Sequence, residues 1–155
     1  EFNSLSKTYN MAGWRVGMAV GNAQAIEALG RLKSNIDSGL FLAIQAAAEA
    51  ALTGDQGWLV ERNGIYERRR DLIVNGVETI GLAVQKPSAT LYVWASVPDG
   101  FTSVQFADEL LSKCAVSVSP GSAFGSYGEG FVRVSVGNAT ERIEEAMNRL
   151  ANWRR

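Results

Sequence analysis

The sequence contains no histidine and a single cysteine, and these two scarcities exclude several kinds of active site. Catalytic triads and metal sites that use imidazole are impossible, and thiolate zinc clusters need more than one cysteine. Cys114 cannot form an internal disulfide, so we expect it to be buried in a protein of the reducing cytoplasm. Acid–base chemistry must therefore come from lysine, tyrosine, aspartate, glutamate or this one cysteine.

Neither sign of charge is in excess, and long apolar runs are missing too. The chain has 15 Lys and Arg residues against 16 Asp and Glu residues, which gives a formal net charge of −1. This balance gives no indication of a nucleic-acid partner. No stretch approaches the roughly 20 apolar residues of a membrane span, and the first four residues do not resemble a signal peptide. We expect a soluble globular chain without a bound metal, nucleic acid or membrane.

The first half of the chain is predicted to be mainly helical. The apolar run 16–20 lies between glycines and predicts a buried strand. Asn22 is a candidate N-cap for the helix that follows it, and residues 34–39 are predicted to form a loop. Helices are predicted over 23–33, 40–53 and 55–80.

After Pro87 the apolar residues alternate, which is typical of strands. Asn138 is a candidate N-cap for the last helix, with Glu141 as its partner. A glycine-dense loop is predicted at 120–130. Strands are predicted over 90–97, 115–119 and 131–137, and helices over 103–113 and 140–153. This order predicts the α/β class, as a two-layer α+β domain with helices packed on a sheet.

The predicted elements divide the chain into three parts. Residues 1–45 hold one strand and two helices, too little sheet to close a core, so we expect the C-terminal tail of a larger domain. Residues 46–81 are predicted to be an interdomain helical segment, because the helix there is longer than is typical within one domain. Residues 82–155 are predicted to be a small C-terminal α/β domain.

Candidate chemistry is concentrated in the segment SLSKTYNMAGWRVG, residues 4–17. The guanidinium of Arg15 suits bidentate binding of a phosphate, and the hydroxyls of Ser4 and Ser6 can donate to its remaining oxygens. Lys7 offers a primary amine that could form an imine with a phosphorylated aldehyde. A solvated loop that holds a lysine and an arginine by chance explains the same spacing equally well.

This segment resembles, position by position and without a gap, the pyridoxal-phosphate (PLP) attachment segment of the class I and II, fold-type I aminotransferases. The likeness is greatest to the aspartate and LL-diaminopimelate aminotransferase group. The resemblance implies that Lys7 carries PLP as a Schiff base and moves the proton during transamination. It implies that Ser4 and Arg15, with help from Ser6, hold the cofactor phosphate.

The resemblance continues into the second half of the chain. The segments PGSAFG and FVRVSVG resemble the small-domain region whose arginine binds the α-carboxylate of the substrate, which would be Arg133 here. The family's enzymes transfer an amino group between an L-amino acid and a 2-oxo acid. They are homodimers whose active sites lie between the subunits. The resemblance therefore implies these substrates and a homodimeric parent protein.

The chain departs from the family pattern because it holds only the part of that pattern from the lysine segment onward. In the family, the aspartate that pairs with the pyridine nitrogen and the aromatic ring that stacks on PLP precede the lysine, and no such segment is present here. We therefore expect a C-terminal fragment that binds PLP weakly and is nearly inactive alone. A PLP-dependent lyase of the same fold and an aminotransferase-like sensor domain of a transcription regulator stay open as alternatives. A ligand-free structural module disagrees with the length of the lysine motif.

Overall fold

The computed structural model describes residues 1–153, which fold as two compact units. The first unit is Glu1–Leu59 and the second begins at Val60. The predicted domain boundaries after residues 45 and 81 stay a prediction. The strands are β1 Phe2–Ser4, β2 Gly17–Ala19, β3 Tyr92–Ser96, β4 Ser119–Pro120 and β5 Phe131–Ser135. The helices are α1 Leu5–Thr8, α2 Ala23–Ile36, α3 Leu42–Thr53, α4 Gly57–Thr79, α5 Ser103–Cys114 and α6 Thr140–Ala151.

An antiparallel hairpin of β1 and β2 opens the first unit. The strand predicted over 16–20 is confirmed as β2, but its predicted burial is wrong, because Gly17 and Met18 are exposed and only the preceding Val16 lies in a core. Its partner β1 and the single turn α1 were not predicted. Ser4 lies opposite Gly17 in the register. A Cβ on Gly17 would lie 2.7 Å from the backbone oxygen of Asn3, so only glycine lets the strands approach this closely. A small core beneath the hairpin is formed by Leu5, Met11, Val16 and Ala48.

The start of α2 confirms its predicted cap, but its end differs from the prediction. The side-chain oxygen of Asn22 accepts hydrogen bonds from two backbone amides of the first turn, at 3.0 and 3.2 Å. The predicted loop begins later than expected, because α2 continues to Ile36. Ser34 and Asn35 donate side-chain hydrogen bonds back to the carbonyl of Arg31, so both polar side chains are satisfied within the helix.

The two remaining helical predictions for the first half of the chain are confirmed as α3 and α4. The long helix α4 starts in the first unit and runs on into the second, where Ile73, Val74 and Val77 are buried. No helix among residues 1–153 combines the length and the apolar character that crossing a membrane requires.

The second unit is a three-stranded antiparallel sheet in the order β3-β5-β4, with helices on one face. Its core joins alternate residues of the strands to the later turns of α4 and to α5 and α6. The most deeply buried members of this core include Ile73, Val93, Phe106, Leu110, Val132 and Leu150. The opposite face of the sheet, here called the aromatic face, carries Tyr92, Trp94, Phe131 and Arg133. The predicted two-layer α/β arrangement is confirmed.

The strand predicted over 115–119 is mostly wrong, because the chain leaves α5 through a left-handed residue. Ala115 has a φ of 52°, and the amides of Ala115 and Val116 donate back to carbonyls of α5. Only Ser119 and Pro120 pair with β5. Cys114, at the end of α5, is buried as predicted, and burial raises the pKa of its thiol.

The last helix begins one residue later than the capping pattern indicates. The structure has Ala139 at the N-cap position without a side-chain cap, so the predicted capping role of Asn138 is wrong. Arg69 explains the displacement, because its guanidinium donates to the hydroxyl of Thr140 at 3.0 Å and to the carbonyl of Val136. These bonds fix the connection between β5 and α6 from the side of α4.

The backbones of Gly121 and Gly128 are in close contact in the loop before β5. A Cβ on Gly121 would lie 2.0 Å from the backbone oxygen of Gly128 and 2.7 Å from that of Phe131. Because both atoms belong to the backbone, making room for the Cβ would require the loop at Gly128 and the start of β5 to shift. We expect Gly121→Ala to lower the free energy of unfolding by about 3 kcal/mol, the upper end for an overpacked interior. Urea unfolding followed by circular dichroism measures this change.

Gly64→Ala is the matched control, since the same atoms are added at a glycine of α4. The nearest atom to a Cβ there is the guanidinium nitrogen of Arg68, at 3.9 Å. Alanine is also a better helix former than glycine, so stability should stay the same or rise by up to about 1 kcal/mol. Equal stabilities for the two variants would show that the contact between Gly121 and Gly128 is not constrained.

Candidate functional site

The predicted cofactor segment forms a tight turn in the first unit. Ser4 ends β1 and caps α1, where its hydroxyl oxygen accepts from the amide of Ser6 at 3.1 Å. The same hydroxyl donates to the hydroxyl of Ser6 at 2.9 Å. Lys7 lies in the same helical turn and is exposed, whereas Leu5 is 2% exposed. The buried leucine anchors the turn, whereas Ser4 is exposed and Ser6 is half-buried.

The hairpin brings Arg15 back to this turn. Leu5 donates its amide to the carbonyl of Val16 at 3.3 Å, and Ser4 is paired with Gly17. The backbone of Arg15 therefore lies beside the Ser4 turn, although ten residues separate the two in the sequence. Its backbone is left-handed, with a φ of 53°, and its guanidinium donates to the carbonyl of Ala12 at 2.9 Å. That bond leaves further N–H groups of the fork for an anion.

The charge and the donor types of this segment fit a phosphorylated aldehyde. No aspartate or glutamate occurs between residues 2 and 26, so Lys7 and Arg15 give this stretch of the sequence a net positive charge. The hydroxyls of Ser4 and Ser6 and the guanidinium of Arg15 match the several oxygens of a phosphate. The primary amine of Lys7 matches the aldehyde. Pyridoxal phosphate carries both groups, and this donor set can hold it.

Arg133 lies in the second unit, at the centre of the sheet. It is the middle residue of β5, and the register places Trp94 and Ser119 opposite it on the two neighbouring strands. Its guanidinium carbon is 4.1 Å from the ring centroid of Tyr92 and 4.0 Å from that of Phe124. The side chain is half-buried on the aromatic face.

The surroundings of Arg133 differ from those of Arg70 and Arg142 in the same unit. Arg70 is paired with Asp71, and Arg142 with Glu145, at 2.8 and 3.0 Å. Among residues 1–153, Arg133 forms no ion pair, and its contacts are the two aromatic rings. A half-buried guanidinium that has no carboxylate partner in the described part of the chain is suited to receive one from a ligand.

The aromatic neighbours of Arg133 were not singled out from the sequence. Trp94 packs edge-on against Phe124 and Phe131, with ring centroids 5.6 and 6.4 Å apart. Tyr92 and Trp94 alternate along β3, which is the signal that places both on one face of the sheet. Phe124 lies in a 3₁₀ turn before β5, so its position follows from the tertiary fold alone.

A buried serine attaches the loop before β5 to the start of α5. The hydroxyl oxygen of Ser103 accepts from the amides of Gly130 and Phe131 at 2.9 and 3.3 Å. The amide of Ser103 donates to the carboxylate of Glu129 at 2.8 Å, and this hydrogen bond holds the pKa of that carboxyl below its usual range. These bonds fix where β5 begins, two residues before Arg133. The predicted site residues thus form two groups, one in each unit.

The family model described as "Aminotransferase class I and II" matches residues 1–150. The LL-diaminopimelate aminotransferase of Moorella thermoacetica is 53% identical over 150 residues, covering 97% of this chain and 38% of the relative. The enzyme of the same name from Dehalococcoides mccartyi is 51% identical over 154 residues, covering 99% of this chain and 40% of the relative. The chain thus spans about two fifths of the length of these relatives.

Solved structures agree with this match. Substrate-bound BacF from Bacillus subtilis superposes with a TM-score of 0.90 at 41% identity, covering 97% of this chain and 39% of BacF. An aromatic aminotransferase from Pyrococcus horikoshii superposes with a TM-score of 0.86 at 36% identity, covering 97% of this chain and 41% of that enzyme. On the match of the family model and these likenesses, the chain belongs to the class I and II aminotransferases, a family that depends on pyridoxal phosphate.

Proposed function

We propose that the whole protein catalyses PLP-dependent transamination between an L-amino acid and a 2-oxo acid. The observation that carries the proposal is the turn at Ser4, Ser6 and Lys7, to which the hairpin returns Arg15. This turn supplies one amine and several anion donors. The bound cofactor supplies an electron sink for the carbanion formed at the substrate's α-carbon.

Lys7 is the proposed attachment and proton-transfer residue. Its amine would hold the aldehyde of a bound cofactor and would be free for acid–base work once the substrate amine had displaced it. As a free amine, Lys7 would take the proton from the α-carbon of the substrate and hold it for the later return. Without histidine in the chain, one lysine that acts as both base and acid is sufficient for this transfer.

Ser4, Ser6 and Arg15 are the proposed phosphate ligands. The two hydroxyls are already 2.9 Å apart, so both can face a single phosphate group. Arg15 adds charge-assisted donors, which bind phosphate more strongly than neutral donors do. These residues would hold the phosphate of the cofactor, and a held phosphate would limit how far the aldehyde can move from Lys7.

Arg133 is the proposed ligand of the substrate's α-carboxylate. The planar guanidinium can donate two parallel hydrogen bonds to a carboxylate, which sets the orientation of the amino acid as well as its position. The aromatic face around it excludes water from part of the guanidinium, and this strengthens the pairing. A homodimer and a cytoplasmic location, which the resemblance and the single buried thiol indicated, complete the proposal.

LL-diaminopimelate is the proposed amino donor, supported by the names of relatives about half identical to this chain. The test uses the whole protein loaded with PLP, a 2-oxo acid acceptor, and LL-diaminopimelate, its meso isomer or L-aspartate as donor. We expect kcat/KM to be at least about tenfold higher with the LL isomer, a discrimination of about 1.4 kcal/mol. Chromatography of the amino acid formed from the acceptor measures the rate.

The same assay separates transamination from the lyase alternative. Transamination forms one new amino acid for each donor consumed and releases no ammonia. A lyase releases ammonia and does not need the 2-oxo acid. Ammonia equal to the donor consumed, in the absence of acceptor, would contradict the proposed reaction. A higher rate with L-aspartate than with LL-diaminopimelate would contradict the proposed donor alone.

A further inference from the structure

We infer that Tyr92 and Phe124 are positioning residues that hold the Arg133 guanidinium ready to bind a carboxylate in its plane. This inference rests on the proposed function, because it assigns a role to the surroundings of the proposed substrate ligand. The ring centroids lie 4.1 and 4.0 Å from the guanidinium carbon, well within the distance of about 6 Å at which a cation is attracted to a ring.

The contacts constrain how a ligand can approach. A guanidinium packed against aromatic rings presents its N–H groups outward, in its own plane, because the ring faces offer no strong acceptor. A carboxylate in that plane can accept two parallel hydrogen bonds. The rings therefore favour the bidentate geometry and disfavour a ligand above the guanidinium. Arg133 needs this help, since no carboxylate among residues 1–153 is paired with it.

The fold fixes both rings independently of a ligand. Tyr92 projects from β3, two residues from the Trp94 that lies opposite Arg133 in the register. Phe124 is supported edge-on by the ring of Trp94, at 5.6 Å between centroids. The loop that carries Phe124 is closed by the backbone contact between Gly121 and Gly128.

A guanidinium held in place binds its ligand with a smaller loss of entropy. Without a ring face, the long arginine side chain has to be ordered by the ligand, and the attraction between the cation and the ring is lost as well. Removing one ring should thus weaken carboxylate binding by about tenfold, which corresponds to about 1.4 kcal/mol. Proton transfer at Lys7 depends on other groups, so turnover at saturating substrate should change much less.

Phe124→Leu in the whole PLP-loaded protein tests the inference, because leucine keeps an apolar side chain but removes the ring face. We expect KM for the amino donor and for the 2-oxo acid to rise about tenfold, with kcat changed less than about twofold. Phe124→Tyr keeps the ring, so both KM values should stay close to those of the wild type. Tyr127→Leu is the matched control, since it removes a fully exposed ring three residues away in the same loop.

A second measurement does not depend on turnover. Calorimetric titration with an unreactive carboxylate, such as maleate or hydrocinnamate, gives the dissociation constant directly. We expect it to rise about tenfold in Phe124→Leu and to stay unchanged in Phe124→Tyr and Tyr127→Leu. Thermal unfolding checks that all three variants are folded. Phe124 is 49% exposed, so a large loss of stability is not expected.

The outcomes separate this inference from the proposed function. Equal carboxylate affinities for wild type, Phe124→Leu and Phe124→Tyr would overturn the positioning role, whether or not the protein is a transaminase. A weaker carboxylate affinity in both Phe124→Leu and Tyr127→Leu would also overturn the positioning role. Carboxylate binding would then depend on the loop as a whole and not on the ring of Phe124. The protein could also bind carboxylate more weakly only in Phe124→Leu and yet have no transaminase activity. That result would support the inference and contradict the proposed reaction.

Discussion

Replacing Lys7 by alanine in the whole protein should lower kcat for transamination by at least about 10⁴-fold, the upper range for loss of a positioned proton-transfer group. Two functions are lost together, because alanine can neither attach the aldehyde nor carry the proton. Stability should hardly change, since Lys7 is exposed and the turn is anchored by Leu5. Steady-state kinetics with the purified, PLP-supplemented variant measures the effect.

Lys33→Ala is the control for the Lys7 variant. Lys33 is also an exposed lysine of the first unit, and its ammonium is paired with Asp37 at 2.6 Å on the surface of α2. Its removal should leave kcat within about twofold, because exposed ion pairs contribute little. If Lys7→Ala retained more than about a tenth of the wild-type kcat, proton transfer would have to be assigned to another residue.

Replacing Arg133 by alanine should lower kcat/KM by about 100-fold, because losing one partner of a hydrogen-bonded charge pair costs roughly 2–5 kcal/mol. Most of the loss should appear in KM for the amino donor and for the 2-oxo acid, since both present the same carboxylate. Arg133→Lys keeps the charge but loses the fork of donors, so its kcat/KM should fall between those of the wild type and the alanine variant. Initial rates at several substrate concentrations show how much of the loss lies in KM and how much in kcat.

Arg142→Ala provides the comparison for Arg133. Its guanidinium lies on the surface of α6, where it is paired with Glu145 and its side chain is 74% exposed. Kinetics should be unchanged in this variant. A similar rise of KM in the Arg142 and Arg133 variants would show a nonspecific effect of surface charge and would remove Arg133 from the proposed site.

The parts of the fold that were predictable are those set by local sequence. Asn22 is followed by a helical pattern and forms the expected cap, and the alternation along β3 gives the expected strand. The prediction of a strand at residues 115–118 failed because Ala115 turns the chain out of α5 in a left-handed conformation. The apolar side chains that follow it are packed against the core without pairing with another strand. The displaced cap of α6 depends on Arg69, which is some seventy residues away, and no local pattern includes it.

In the candidate site, too, some features follow from local sequence and others only from the tertiary fold. Ser4, Ser6, Lys7 and Arg15 could be proposed from the sequence because they lie in one short segment. The hairpin that joins Arg15 to Ser4 was not predicted, since β1 is only three residues long. The two rings beside Arg133 come from β3 and from a 3₁₀ turn, so tertiary structure was needed to find them.

Chemical trapping of the attached cofactor tests the role of Lys7 most directly. Borohydride reduces a Schiff base between PLP and a lysine to a stable bond, and the modified peptide can be identified by mass spectrometry after proteolysis. With the whole PLP-loaded protein, we predict one modified lysine per chain, at Lys7. Modification of Lys33, Lys86 or Lys113 at comparable yield, with Lys7 unmodified, would contradict the assignment.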